Sequence, residues 1–258
     1  MSWPRSAAVA RTNLLLQLRD PASHLLMVLI PLVLIPFLLP TARAQLQLEG
    51  FPHATGAEQV VPGFGILFAF LSVQQVITGF FDEHVWGTWD RLRASAASTL
   101  DILVGKVSVA FAIQLAQLLA VLGLGSLLYG FRPTGSVLAL LLVVVLFSAV
   151  LCCFGVMIVA LASSRDLALT VANLVGMLMA GVGGALGSTT GFPAWALTLA
   201  HLSPAYWAMQ AVVRISLENA GVVQVLPALA ALSAFGAVFL AIAVLRFRVE
   251  DSKTGRDT

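Results

Sequence analysis

Asp82 and Glu83 stand beside His84 and Asp90, and acidic groups with an imidazole could hold a divalent metal for chemistry on a lipid headgroup. Those four have no further ligand-type neighbours, so a metal-dependent enzyme is disfavoured. Gly105-Lys106 is the one Gly-Lys pair, but it lacks the earlier glycine of G-x-x-x-x-G-K-[ST] and is followed by Val107. The chain therefore has no P-loop with which to bind and hydrolyse ATP. Cys152 and Cys153 are adjacent in an apolar run, where neighbours on a helix point to different sides and do not pair as a structural disulfide. They read as small apolar side chains. The 4 His are scattered without metal-ligand spacing, and no charged residue lies mid-span as a proton relay would. What remains is a chain without a recognisable catalytic constellation of its own.

The elements that must position these residues follow from where charge is missing. Of 258 residues 59% are hydrophobic and only 10% charged, too little polar surface for a soluble protein. A Lys, Arg or Asp at mid-bilayer costs about 2.5 to 3.5 kcal/mol, so charge collects at span ends. Uncharged stretches run over 21–42, 59–81, 107–131, 133–164, 167–213 and 219–245. Each accommodates a helix of about 20 residues, and none alternates as a membrane β-strand does. The fold class is an all-α polytopic membrane protein with six transmembrane helices, at about 23–42, 60–81, 105–129, 137–162, 167–187 and 224–245. A cytoplasmic N-terminus places Arg5, Arg11, Arg19, Arg91, Arg93, Lys106, Arg165, Arg246, Arg248, Lys253 and Arg256 inside, and Arg43, Arg132 and Arg214 outside. This positive-inside bias predicts that both termini are cytoplasmic in the cell (plasma or inner) membrane. The net charge of +2 forms no basic stripe, so nucleic acid is excluded as a partner.

Along the chain, residues 1–22 read as an interfacial amphipathic helix. Ala42-Arg43-Ala44 imitates a signal cleavage site, but the long segment before it and Pro31 and Pro36 within it favour a retained first span. Pro31, Pro36 and Pro40 must distort that span, and neighbouring helices must satisfy the carbonyls they free. Residues 43–59 form a polar external loop. Gln74, Gln75 and Thr78 lie within the second span and favour a protein- or cavity-facing position; Gln114 and Gln117 lie in the third. The 82–104 segment carries both charges beside Trp86 and Trp89, too long for a mere turn, and reads as a cytoplasmic docking element. Gly176, Ala180 and Gly184 recur every fourth residue, as do Gly183, Gly187 and Gly191, which suits close helix packing. Residues 188–219 mix helix breakers with interfacial aromatics and form an external segment that does not cross.

Three stretches together resemble the permease subunits of ABC transporters, the type 2 exporter family in its daunorubicin-resistance-like branch. Leu18-Arg19-Asp20-Pro21 with Pro31 resembles the family's entry to its first span. Glu83, Gly87-Thr88-Trp89-Asp90-Arg91-Leu92-Arg93, Ser98 and Gly105-Lys106 resemble its first cytoplasmic loop, with Ala96 or Ala97 where the family often has Pro. Gly183-Gly184, Phe192-Pro193, Leu202-Ser203-Pro204 and Tyr206-Trp207 resemble its signature near span five. The resemblance implies the type V exporter fold: one permease domain over 1–258 with a coupling helix in the 82–104 loop and re-entrant helices in 188–219. It implies a second permease subunit, identical or homologous, and two P-loop ATPase subunits that carry ATP and Mg, with no cofactor on this chain. Coupling to the ATPase then falls to Glu83, Gly87, Trp89, Arg91, Leu92 and Arg93. The substrate path falls to Gln74, Gln75, Thr78 and Asn173, which otherwise serve only as interhelical hydrogen bonds. An outer gate falls to Phe192, Pro193, Trp195, Pro204, Tyr206 and Trp207. The expected activity is export of a hydrophobic or amphiphilic drug, lipid or natural product, as in multidrug efflux and antibiotic resistance. The alternatives are a polysaccharide-exporting ABC permease, an ion-driven carrier or a channel; the carrier lacks a mid-span charge and matching broken helices.

Overall fold

A computed structural model of the chain describes residues 10–15, 17, 21–85 and 99–246. Residues 10–15 are helical and are followed by α1 (Pro21–Leu48), α2 (Ala57–Leu71), α3 (Val73–Val85) and α4 (Thr99–Tyr129). The chain continues through α5 (Val137–Leu161), α6 (Arg165–Val182), α7 (Ala194–His201), α8 (Pro204–Leu217) and α9 (Val222–Arg246). No strand occurs among the described residues, and 6 helical stretches are long and apolar enough to cross a membrane. The protein is an all-α polytopic membrane protein. Serines open several helices by accepting from an otherwise unpaired amide: Ser136 from Ala139 N at 3.3 Å and Ser164 from Leu167 N at 3.3 Å.

Helix ends and charge gaps mark different limits. The first charge gap closes before Arg43, yet α1 continues to Leu48, because a helix that leaves the hydrocarbon keeps its own backbone bonds. The fifth gap continues far past α6, which stops at Val182 because Gly183 caps it and Gly184 turns left-handed, φ +89°. The regular spacing of small residues therefore belongs to one helix only through Ala180; Gly184, Gly187 and Gly191 are loop positions.

Proline shapes α1. Pro31, Pro36 and Pro40 lack the amides that would bond the carbonyls four residues earlier, on Met27, Leu32 and Pro36. Two of those carbonyls find donors on α4. Tyr129 Oη donates to Leu32 O at 2.6 Å, and Gln117 Nε2 reaches Met27 O at 3.4 Å. The second span is one crossing broken at Ser72, whose amide and hydroxyl both turn to Phe68 O, at 2.9 Å each. At this break α4 again supplies a donor: Gln114 Nε2 bonds Ala69 O at 2.6 Å, while the Ser72 hydroxyl also meets Gln117 Oε1. Helix α4 thus holds the irregular backbone of two neighbours, which is what lets that irregularity persist away from water.

The core forms where α2 and α3 meet α5. Phe70 is edge-on to Phe147 at 5.8 Å and to Phe154 at 6.1 Å, and Phe154 lies 5.4 Å from Phe239 of α9. Gly155 admits Val73 and Val76, and Gly176 of α6 admits Phe70. The most apolar stretch of the second span is 78% buried, against 22% for each of α1, α6 and α9, so those three turn a largely apolar face outward.

Tyr129→Phe removes the only hydroxyl on Leu32 O and is expected to lower stability in detergent by about 1 kcal/mol. The same change made in a Pro36→Ala chain, where an amide again faces Leu32 O, is expected to cost clearly less. Equal losses in thermal unfolding of the two backgrounds would contradict this account.

Candidate functional site

One of the residues proposed for docking is placed at an end of α3. Glu83 lies in its last turn, whereas Gly87, Trp89, Arg91, Leu92 and Arg93 lie outside the described residues. Just inside that end, Lys106 of α4 is buried against α3. Its Nζ donates to Gly79 O at 2.7 Å and stands 4.9 Å above the Phe80 ring. Beside it a small cleft is lined by Asn13, Gln17, Gln75 and Lys106 together with Val76 and Val109. Gln17 also reaches His24, 3.1 Å away.

The four residues assigned to a substrate path separate into two settings. Helices α2 and α6 run in opposite directions: Gln59 Nε2 bonds Gly184 O at 2.7 Å near one end, and Phe70 lies on Gly176 farther along. One turn beyond that second contact brings Gln74 of α3 and Asn173 of α6 to the same level. Both are half-buried, and neither amide side chain makes a hydrogen bond in the structure. Gln75 turns instead to the Lys106 cleft, and the Thr78 hydroxyl donates to Gln75 O at 3.2 Å on its own helix.

Between α6 and α9 the chain makes a helical hairpin that enters and leaves on one face of the bundle. At its start Thr190 Oγ1 donates to the Glu49 carboxylate in the loop after α1. At its end Gly135 N bonds Ile215 O at 2.8 Å, Ser136 N bonds Ala220 O at 3.1 Å, and Thr134 Oγ1 bonds Ser216 O at 3.0 Å. The turn between α7 and α8 reaches back along α6, where Ser203 Oγ donates to Met179 O at 2.7 Å. Ser203 also caps α8 by accepting from Ala205 N, with Pro204 at the first helical position, where its missing amide costs nothing. Gly183 is required at this crossing, since a Cβ would overlap Ala205 and Tyr206 N. Gly63 is required on the facing wall, where a Cβ would overlap the carbonyl of Ala185.

Of the residues assigned to an outer gate, Tyr206 and Trp207 come together at the hairpin turn, with ring centroids 5.5 Å apart. His201 joins them, 4.5 Å from Tyr206 and 5.6 Å from Trp207, and Trp207 Nε1 donates to His201 O at 3.0 Å. Pro204 is buried beside this cluster. Phe192 and Trp195 make no ring contact, Trp195 being 69% exposed, and Pro193 caps α7. Sequence reasoning missed His201, Gln59 and Gly63. His201 had a signal, its place between Trp195 and Trp207; Gln59 and Gly63 depend on a partner far along the chain and had none.

No group of three or more His, Cys, Asp or Glu able to hold a metal exists among the described residues. The described residues bring together helices with unpartnered amides and a tethered hairpin. A family model described as ABC-2 family transporter protein matches residues 53–245, most of the chain. The chain belongs to the ABC-2 transporter family. No curated protein matches it. As an ABC-2 permease it is a multi-pass membrane component of an ABC transporter rather than the ATPase, and the family normally works with an ATPase subunit. The matched residues include the 82–104 stretch and the hairpin, and they begin after the Arg19-Asp20-Pro21 stretch.

Gly63→Ala is expected to destabilise the protein by about 3 kcal/mol or more, since backbone rather than a movable side chain occupies the space. Gly181→Ala, with nothing within 4 Å of the added methyl, is expected to stay within about 0.5 kcal/mol. Thermal unfolding of both purified variants checks the contrast.

Proposed function

We propose that this chain is the permease subunit of an ATP-driven exporter of the daunorubicin-resistance-like branch, moving a hydrophobic or amphiphilic drug, lipid or natural product out of the cell. The observation that carries this reading is the pair of half-exposed, unpartnered amides on Gln74 and Asn173, in a family whose members are membrane components of ABC transporters. Amides turned toward lipid have no hydrogen-bond partner, so this face suits a second permease subunit with a substrate path between the two. Gln75 and Thr78 belong to a second polar setting, the Lys106 cleft and their own helix, rather than to this face.

Two P-loop ATPase subunits, binding ATP and Mg, drive the cycle in this reading. ATP binds their closed state better than their open state, and that difference is what biases the permease. The 82–104 segment receives the movement: Arg91 and Arg93 dock by charge, Trp89 packs, and Glu83, Gly87 and Leu92 form the joint to α3. The movement passes into the bundle as a rigid-body displacement. Tyr206, Trp207, Pro204, Phe192, Pro193 and Trp195 line the outer exit. Both termini lie in the cytoplasm, in keeping with the basic residues at that end.

Replacing Arg91 and Arg93 together by Glu is expected to reduce ATP-dependent export by at least about tenfold, because reversed charge opposes docking. Membrane insertion is expected to be unchanged. Export of a fluorescent anthracycline or labelled phospholipid from energised vesicles measures the loss; undiminished export would remove the docking role.

A further inference from the structure

Lys106 is a lysine near the end of a membrane helix, a place from which such side chains normally extend their charge into the headgroup region. It does the opposite. The side chain turns into the bundle, is 5% exposed, and donates from Nζ to Gly79 O at 2.7 Å over the ring of Phe80. Burying an ammonium is costly even when it is well bonded, and an apolar chain of equal length would fill the same space without that cost. Stability alone therefore does not explain a lysine here.

Two of its contacts are informative. Gly79 and Phe80 belong to α3, Lys106 belongs to α4, and residues 86–98, within the proposed docking stretch, join those helices. At its other end α3 is set apart from α2 by the break at Ser72, so α3 is joined to the rest of its own span less firmly than a continuous helix would be. Its contact with α4 is smaller than its contacts with α5 and α6. A direct polar link between α3 and α4 at this end therefore counts for much of what holds the two together.

We infer that Lys106 is a positioning residue that clamps α3 to α4 at the end where residues 86–98 join them, so that a displacement delivered to either helix is carried by both. The inference rests on the reading of the chain as an ATP-driven permease. Without the clamp α3 yields alone at the Ser72 break, and a push delivered to α3 moves Gln74 and the α6 face without carrying α4 along.

The test uses the full chain in complex with its copurifying ATPase in proteoliposomes. Cys152 and Cys153 are replaced by Ala, and Leu127→Cys on the outward face of α4 reports labelling by a fluorescent maleimide. With Lys106 in place, ATP, Mg and vanadate are expected to change the labelling rate. Lys106→Met, which keeps the apolar stem, is expected to reduce that response by at least about fivefold while the ATPase still copurifies. Lys106→Arg, which retains a cationic donor, is expected to restore it. Lys106→Gln, shorter and neutral, gives the same reading if the methionine variant does not accumulate. An undiminished response in both neutral variants, or an arginine variant as defective as methionine, overturns the clamp and leaves the ATP-driven reading standing. Absence of any nucleotide response with native Lys106 instead overturns the ATP-driven reading.

Discussion

A backbone carbonyl in hydrocarbon has no water to turn to, and this protein depends on how that demand is met where its helices are irregular. Prolines in α1 and the break at Ser72 leave carbonyls on Met27, Leu32 and Ala69 without their usual helical donors. Gln117, Tyr129 and Gln114 take their place, and all three project from α4. One regular helix thereby permits two irregular ones. The hydrogen bonds are individually modest, on the order of 1 kcal/mol in lipid, but they fix which neighbours α4 must have. Apolar packing alone, lacking direction, would set that choice far less sharply.

Part of this was legible before any coordinates. Three prolines in one span fix which carbonyls are released, by counting back four residues, and amides in the third span are natural donors. The pairing of a particular donor with a particular carbonyl was not legible, because it depends on how helices far apart in sequence are rotated against one another. The Ser72 break was invisible for a related reason. No proline or glycine marks it, and the local sequence Leu71-Ser72-Val73 continues a helix as well as it ends one. What holds the break open is Gln114, more than forty residues away.

The hairpin shows the same division. Phe192-Pro193 and Ser203-Pro204 announce helix starts, because proline fits the first turn of a helix and little else in it. Their local chemistry was therefore readable, as was the aromatic character of the turn. The requirement for Gly63 came from outside that segment altogether, from the carbonyl of Ala185 on the facing chain. A small residue in a span states that something comes close; only the fold states what. The four-residue spacing of Gly176, Ala180 and Gly184 was misleading beyond Ala180 for this reason, since Gly184 serves a left-handed turn rather than a helix face.

Outward faces carry the last distinction. Most of α1 and α9 turn Leu, Val and Phe outward, a surface that lipid satisfies without any partner. The face shared by α3 and α6 is different, because Gln74 and Asn173 stand at one level with their amides unbonded. In water such amides would be unremarked; in a bilayer they favour whatever can bond them, whether another helix or a passing polar group. A partner that bonded them fully would fix the two helices, whereas one that bonded them intermittently would leave the helices free to part. A transport cycle needs the second condition. Unpartnered amides at a helix interface suit it better than either a wholly apolar seam or a closed hydrogen-bond network.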